Sequence, residues 1–223
     1  MAEQPDSTST HVAKTVAISR QIGSGGSYIG RAVAERLDLR YIDREMLRDA
    51  AEYLHTQDPE RQEEAVGSWW ARLGQTFALG APDAHYAPPP SDAIYEGDLF
   101  EIQKRIVREV VEGHAGVIVG RGAAQTLRGR AGVLSVFLHA PEAWRIERVK
   151  EVYAVASDSE AQRMLRESDR ARARFVRAIA GCEWTDVRGY DLALDTAALG
   201  FDAAVDIIVR AVDARVGRER LHH

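Results

Sequence analysis

The sequence has one cysteine, Cys182, and no run of about 18 apolar residues. The single thiol excludes an intrachain disulfide and fits a reducing compartment. The absence of an apolar run excludes a membrane-spanning helix, so a cytoplasmic protein is expected. No HExxH or CxxC spacing occurs, which argues against a structural zinc site. There is no G-x-S-x-G elbow, so the serine-hydrolase arrangement is excluded as well. Positive charge is not in excess: 29 Lys and Arg against 34 Asp and Glu leave a formal net charge of -5. Such a chain is a poor coat for a polyanion, and no nucleic-acid partner is expected. Small phosphorylated ligands stay open, because they need only a local basic pocket.

What is present is an alternation of short apolar runs and amphipathic stretches. The 223 residues fit one α/β domain. Residues 1–13 are polar and read as a disordered leader, 14–215 as the domain, and 216–223 as a tail. Strands are expected at 14–19, 40–42, 117–120, 133–139 and 191–194. Helices are expected at 27–37, 43–54, 98–112, 141–152, 158–179 and 201–212. Several strands are apolar from end to end, the mark of a parallel sheet covered on both faces. Residues 56–97 break the pattern, with prolines at 88–90, and read as an insertion or loop.

The first strand runs into AISRQIGSGGSYIG, with glycines at 23, 25, 26 and 30. Glycines between a strand and a helix let several backbone N–H groups point at one anion, and the helix dipole adds to this. The full phosphate-loop pattern is G-x-x-x-x-G-K-[ST]. With Gly25 as its second glycine, Gly26 stands where lysine belongs, Ser27 follows, and Arg20 takes the first glycine's place. Arg20 and Arg31 are the nearest sources of the missing charge. The same glycines also suit close helix–sheet packing. The Ser27 hydroxyl suits Mg²⁺ or a plain helix cap.

Other polar groups fall at the same end of the expected sheet. Asp43 and Arg44 follow the second strand, and Arg121 stands between two glycines after the third. Ligands gather at the carboxyl ends of parallel strands, so these residues are candidates for a second substrate. Arg121 suits a phosphate through its planar fork. On the helix from 158, Arg163, Arg166, Arg170, Arg174 and Arg177 form one stripe, with Arg172 on the opposite side. That stripe reads either as a cover for a polyphosphate or as a solvated face paired with Glu160 and Glu167. Arg145 and Arg148 form a further basic pair.

Taken together, these motifs resemble the cytidylate kinase-like family of phosphate-loop nucleoside monophosphate kinases. The resemblance rests on 16–47, on VIVGRGAAQTL at 117–127 and on VFLHAPEAWRIERV at 136–149. It extends to the D-x-x-R-A-x-F run from Asp169 to Phe175, and to Trp184 followed by YDLALDT. It implies a three-layer sandwich with a five-stranded, mainly parallel sheet, helices on both faces, and a helical lid over 153–185. It also implies ATP and Mg²⁺ as cofactors, and a nucleoside monophosphate, CMP or dCMP, as phosphoryl acceptor. A monomer or homodimer is expected. By the same likeness Gly23, Ser24, Gly25, Gly26 and Ser27 would contact the donor phosphates; the loop pattern adds Arg20 as a donor-side cation and the Ser27 hydroxyl as the metal ligand. Asp43, Arg44 and Arg121 would face the acceptor, and Asp169, Arg172 and Arg170 would belong to the lid, with Asp169 touching the substrate and Arg121, Arg170, Arg172 and Asp43 catalytic. Gly26, Val119 and Ser168 depart from the lysine, aspartate and arginine of established cytidylate kinases. Two other readings therefore stand beside turnover on CMP. One is a nucleotide-binding regulatory module, and the other is a kinase of a non-nucleotide metabolite.

Overall fold

The computed structural model describes residues 14–43, 115–120 and 122–221, with side chains as far as 215. The leader, the 56–97 insertion, the helix at 98–112 and all but Asp43 of the helix at 43–54 lie outside the described residues.

Five strands form one sheet: β1 (Thr15–Arg20), β2 (Arg40–Ile42), β3 (Gly116–Val119), β4 (Val133–His139) and β5 (Leu192–Asp195). Their order is β2-β3-β1-β4-β5, and every neighbouring pair is parallel. The expected "mainly parallel" sheet is thus parallel throughout the described residues. β3 is buried throughout, and β1 and β4 are buried up to their last residues, Arg20 and His139, because helices cover both faces.

One face is covered by α1 (Gly26–Leu37) and α6 (Phe201–Leu221). Val16 and Ile18 of β1 meet Ile29 and Val33 of α1 and Val205 and Ile208 of α6 in one cluster. The four-residue spacing of Ile29 and Val33 puts both on the stripe facing the sheet. α1 ends at Asp38, which takes a left-handed φ of 52° and turns the chain into β2.

The opposite face is covered by α2 (Ala123–Thr126) and the second half of α4 (Asp158–Ala180). Phe175 and Val176 of α4 pack with Phe137 of β4 and with Trp184. The Trp184 indole donates to the Ser19 hydroxyl at 2.8 Å, so the last inward residue on this side of β1 is held by a hydrogen bond. The first half of α4 packs instead on α3 (Glu142–Tyr153): Ala161 and Leu165 meet Ile146, Val149 and Ile22. α5 (Thr196–Leu199) links β5 to α6. The short helices α2 and α5 are additions to the expected set, and α6 runs through the expected tail to Leu221.

Candidate functional site

The parallel register brings the ends of β1, β3 and β4 to one edge, with Ile18 opposite Val119 and Arg20 opposite Leu138. The glycine loop leaves β1 at that edge and is tied to β4. The Gln21 N–H donates to the Leu138 carbonyl at 3.0 Å, and the Ala140 N–H donates to Gln21 Oε1 at 3.2 Å. Ser24 is fully buried, and its hydroxyl lies 2.9 Å from the Gln21 carbonyl and 3.2 Å from that of Leu138. Ser24 is expected among the donor-phosphate contacts, and its side chain is turned inward. With one hydroxyl proton and two backbone acceptors at hand, it braces the loop instead. Gly23 and Gly25 take left-handed φ values of 81° and 75°.

α1 then starts at Gly26 with no side-chain cap and no acidic residue in its first turn. The Ile29 N–H returns to the Gly25 carbonyl at 2.9 Å. The amides of Gly26, Ser27 and Tyr28 precede the first helical bond and have no carbonyl within the helix. The exposed Ser27 lies among them. Phe201 closes the side of the loop, its ring 5.5 Å from Tyr28 and 5.8 Å from Trp144, with the Arg148 guanidinium 5.3 Å away.

Across from α1 stands Tyr41 of β2. Burial pushes its phenol up, as does the Asp43 carboxylate, while Ser27, Arg20 and Arg31 act in the other direction. These five groups share one neighbourhood. The Arg31 guanidinium lies 5.3 Å over the Tyr41 ring. The Tyr41 hydroxyl and Arg31 Nε are buried without a hydrogen bond of good geometry. Tyr41 thus joins the candidate site, though no motif in the sequence marks it. Its signal is a phenol at an inward position of a strand that ends beside the loop.

On the other flank, beneath Gly23, the buried Arg145 of α3 donates to Asp169 of α4 at 2.7 Å. Arg172 Nη1 stands 3.8 Å from the second Asp169 oxygen and donates to Ser168 Oγ at 2.5 Å. Arg145 Nε and Asp169 Oδ1 remain without a hydrogen bond. Asp169, expected to touch the substrate from the lid, is held between two arginines. Arg145, expected only as half of a basic pair, is what holds it. Arg170, expected to be catalytic, is exposed on the outer stripe with Arg163, Arg166, Arg174 and Arg177. On that stripe Arg163 pairs with Glu167 at 3.4 Å, and Arg177 pairs with Glu183. Arg44 and Arg121 lie outside the described residues. Among the described residues there is no cluster of His, Cys, Asp and Glu able to hold a metal, and no helix long and apolar enough to cross a membrane.

The profile of the cytidylate kinase-like family matches residues 15–198, most of the chain. The chain belongs to the cytidylate kinase-like family. A cytidylate kinase of Methanosarcina mazei is 26% identical over 206 residues, covering 92% of this chain and 99% of that one. A cytidylate kinase of Methanopyrus kandleri is 30% identical over 111 residues, 49% of this chain and 57% of its own length. The chain thus spans little more than half of that second relative. Among solved structures, an uncharacterized protein from Eubacterium ventriosum superposes with a TM-score of 0.67 at 21% identity. It covers 90% of this chain and 98% of its own. That likeness is one of fold, an α/β sandwich with a parallel sheet. The glycine loop and Asp43 sit at the carboxyl edge of the sheet, where open α/β sheets gather their ligands.

Proposed function

We propose that the protein is an ATP-dependent phosphotransferase of the nucleoside monophosphate kinase type, acting on CMP or dCMP. One observation carries this reading. An uncapped helix start follows the glycine loop at the carboxyl edge of the sheet. Buried donors lacking hydrogen bonds flank it on both sides, the Tyr41 hydroxyl and Arg31 Nε on one and Arg145 Nε on the other. Such a cradle suits a polyanion, since its oxygens offer acceptors to the amides and to these donors.

On this reading the amides of Gly23 and Gly25–Tyr28 hold the donor phosphates. Ser27 offers its hydroxyl to Mg²⁺, which when bound neutralises charge on the phosphates. Tyr28, Trp144 and Phe201 offer flat faces for a base, and Arg148 offers a cation beside them. Asp43, Arg44 and Arg121 face the acceptor. Arg172, on the inner side of α4, is the lid cation that approaches transferring charge. Asp169 and Arg145 fix the lid's base. Little covalent chemistry is asked of the protein: positioning and charge neutralisation lower the barrier. Excluding water keeps the acceptor hydroxyl or phosphate as the nucleophile.

The test is ADP release from ATP and Mg²⁺ with a panel of nucleoside monophosphates. CMP or dCMP should stimulate release well above the others. In the same assay Arg121→Ala should lose turnover with its folding intact. Tight ATP binding without acceptor-dependent ADP would replace this reading with a regulatory nucleotide-binding module.

A further inference from the structure

We infer that Arg20 is the phosphate-binding cation of this loop, having exchanged places with the glycine of the standard pattern. This inference rests on the phosphotransferase reading above. In G-x-x-x-x-G-K-[ST], the first glycine and the lysine stand six residues apart. Here Arg20 and Gly26 hold those two places with their identities reversed.

The packing accounts for both halves of the exchange. A Cβ built on Gly26 would lie 2.5 Å from Arg20 Cγ and 2.9 Å from Arg20 Cβ. The space a lysine stem would need is already filled by the arginine stem. Farther along, the guanidinium reaches Gly120. A Cβ there would collide with Arg20 Nη1 and lie 3.0 Å from Cζ. Gly120 has a φ of 92° and donates its N–H to the Ile18 carbonyl at 2.9 Å, so it is fixed beside the end of β1.

One side chain therefore starts on β1, crosses the first residue of α1 and ends against the turn after β3. Glycines in two separate segments make room for it. It bridges the glycine loop and Gly120, at the carboxyl edge of the sheet. Its charge also reaches Tyr41 and acts against the effect of burial on that phenol. Arg31, the other candidate, is drawn over the Tyr41 ring. An arginine fork presents two parallel donors to a phosphate where a lysine presents a point charge. The loop lacks its lysine but keeps its cation.

Four variants test this: Arg20→Gly, Gly26→Lys, the double variant that rebuilds the standard pattern, and Arg20→Met, which keeps a stem and drops the charge. Each is followed by melting temperature, and by calorimetric binding of ATP with Mg²⁺ and of inorganic tripolyphosphate. Arg20→Met should melt close to the wild type and bind both polyphosphates roughly ten- to hundredfold more weakly, the size of a lost charged hydrogen bond. Gly26→Lys should melt earlier, because two stems compete for one space. The double variant should recover the melting temperature and most of the affinity. Unchanged affinity in Arg20→Met, or a double variant no better than Arg20→Gly, overturns the assignment. Arg20-dependent tripolyphosphate binding with no ADP from any acceptor upholds it and removes the kinase reading. A wild type that binds neither polyphosphate overturns both.

Discussion

At the scale of single residues, the pair Arg145–Asp169 carries the clearest energetic consequence. Both side chains are largely withdrawn from water, at 7% and 22% exposure, and their atoms meet at 2.7 Å. Removing one partner leaves a charge without compensation, which costs about 3–5 kcal/mol in buried pairs. Arg145→Ala and Asp169→Ala should each lose stability of that order in urea unfolding. Arg145→Met with Asp169→Leu should lose much less than the sum, because no charge is then stranded. Strictly additive losses would show that the two do not act as a pair. Half of this was legible in the sequence. On α4, residues 161, 165, 168, 172 and 176 form the inward stripe, and an aspartate beside such a stripe needs a partner. The partner was hidden because it stands on another helix, 24 positions away, amid the apolar residues Ile146 and Val149. A basic residue in that company looks like solvated surface until the two helices are brought together.

At the scale of elements, α4 is one continuous helix with two different supports. Its first half rests on α3, and its second half rests on the sheet through Phe137 and Trp184. Helical periodicity predicts 158–179, and the structure adds the ends: a Ser157 cap and a left-handed Gly181. It also predicts that the arginine stripe and the buried stripe lie apart. Periodicity does not say what each half touches, and so the expected lid over 153–185 treats as one piece what packing divides. Helix–helix contact is the lesser anchor, and local opening draws on such regions first. The amides of residues 161–168 should therefore exchange with solvent without global unfolding. Those of 173–179 should exchange only with it. Hydrogen exchange under native conditions reads both, and equal protection along α4 would rule out an independently opening first half. The other misjudged element is α6. A polar tail was expected from composition, but Arg-Glu-Arg-Leu contains good helix formers and no stop signal. One glycine at 217 is not enough to end the helix, and it runs on to Leu221.

At the scale of the whole molecule, the sheet decides what the loops can do together. Alternating strands and helices imply parallel pairing, and parallel pairing sends the loops after β1, β2 and β3 to one edge. That is why Asp43 and the glycine loop were placed at one edge from sequence alone. Tyr41 was not, because its importance arises from burial against neighbours that only the fold supplies. The same burial sets the alkaline limit of the protein. Tyr41 and Tyr190, on opposite faces of the sheet, both have phenols pushed above their ordinary value, chiefly by burial. In the unfolded chain they ionise near pH 10, whereas in the folded protein they hold their protons longer. Above that pH the folded state binds more protons than the unfolded state, so stability falls as pH rises. The contribution is intact below the unfolded value and is lost progressively as pH climbs towards the folded one. Tyr41→Phe and Tyr190→Phe each remove one ionisation without removing the ring. The drop in urea midpoint between about pH 8 and about pH 10.5 should shrink in each variant and shrink further in the double. If Tyr41→Phe leaves the slope of midpoint against pH unchanged, its phenol does not ionise later in the fold than out of it. The burial described for the β2 side of the site would then have no place in the alkaline titration.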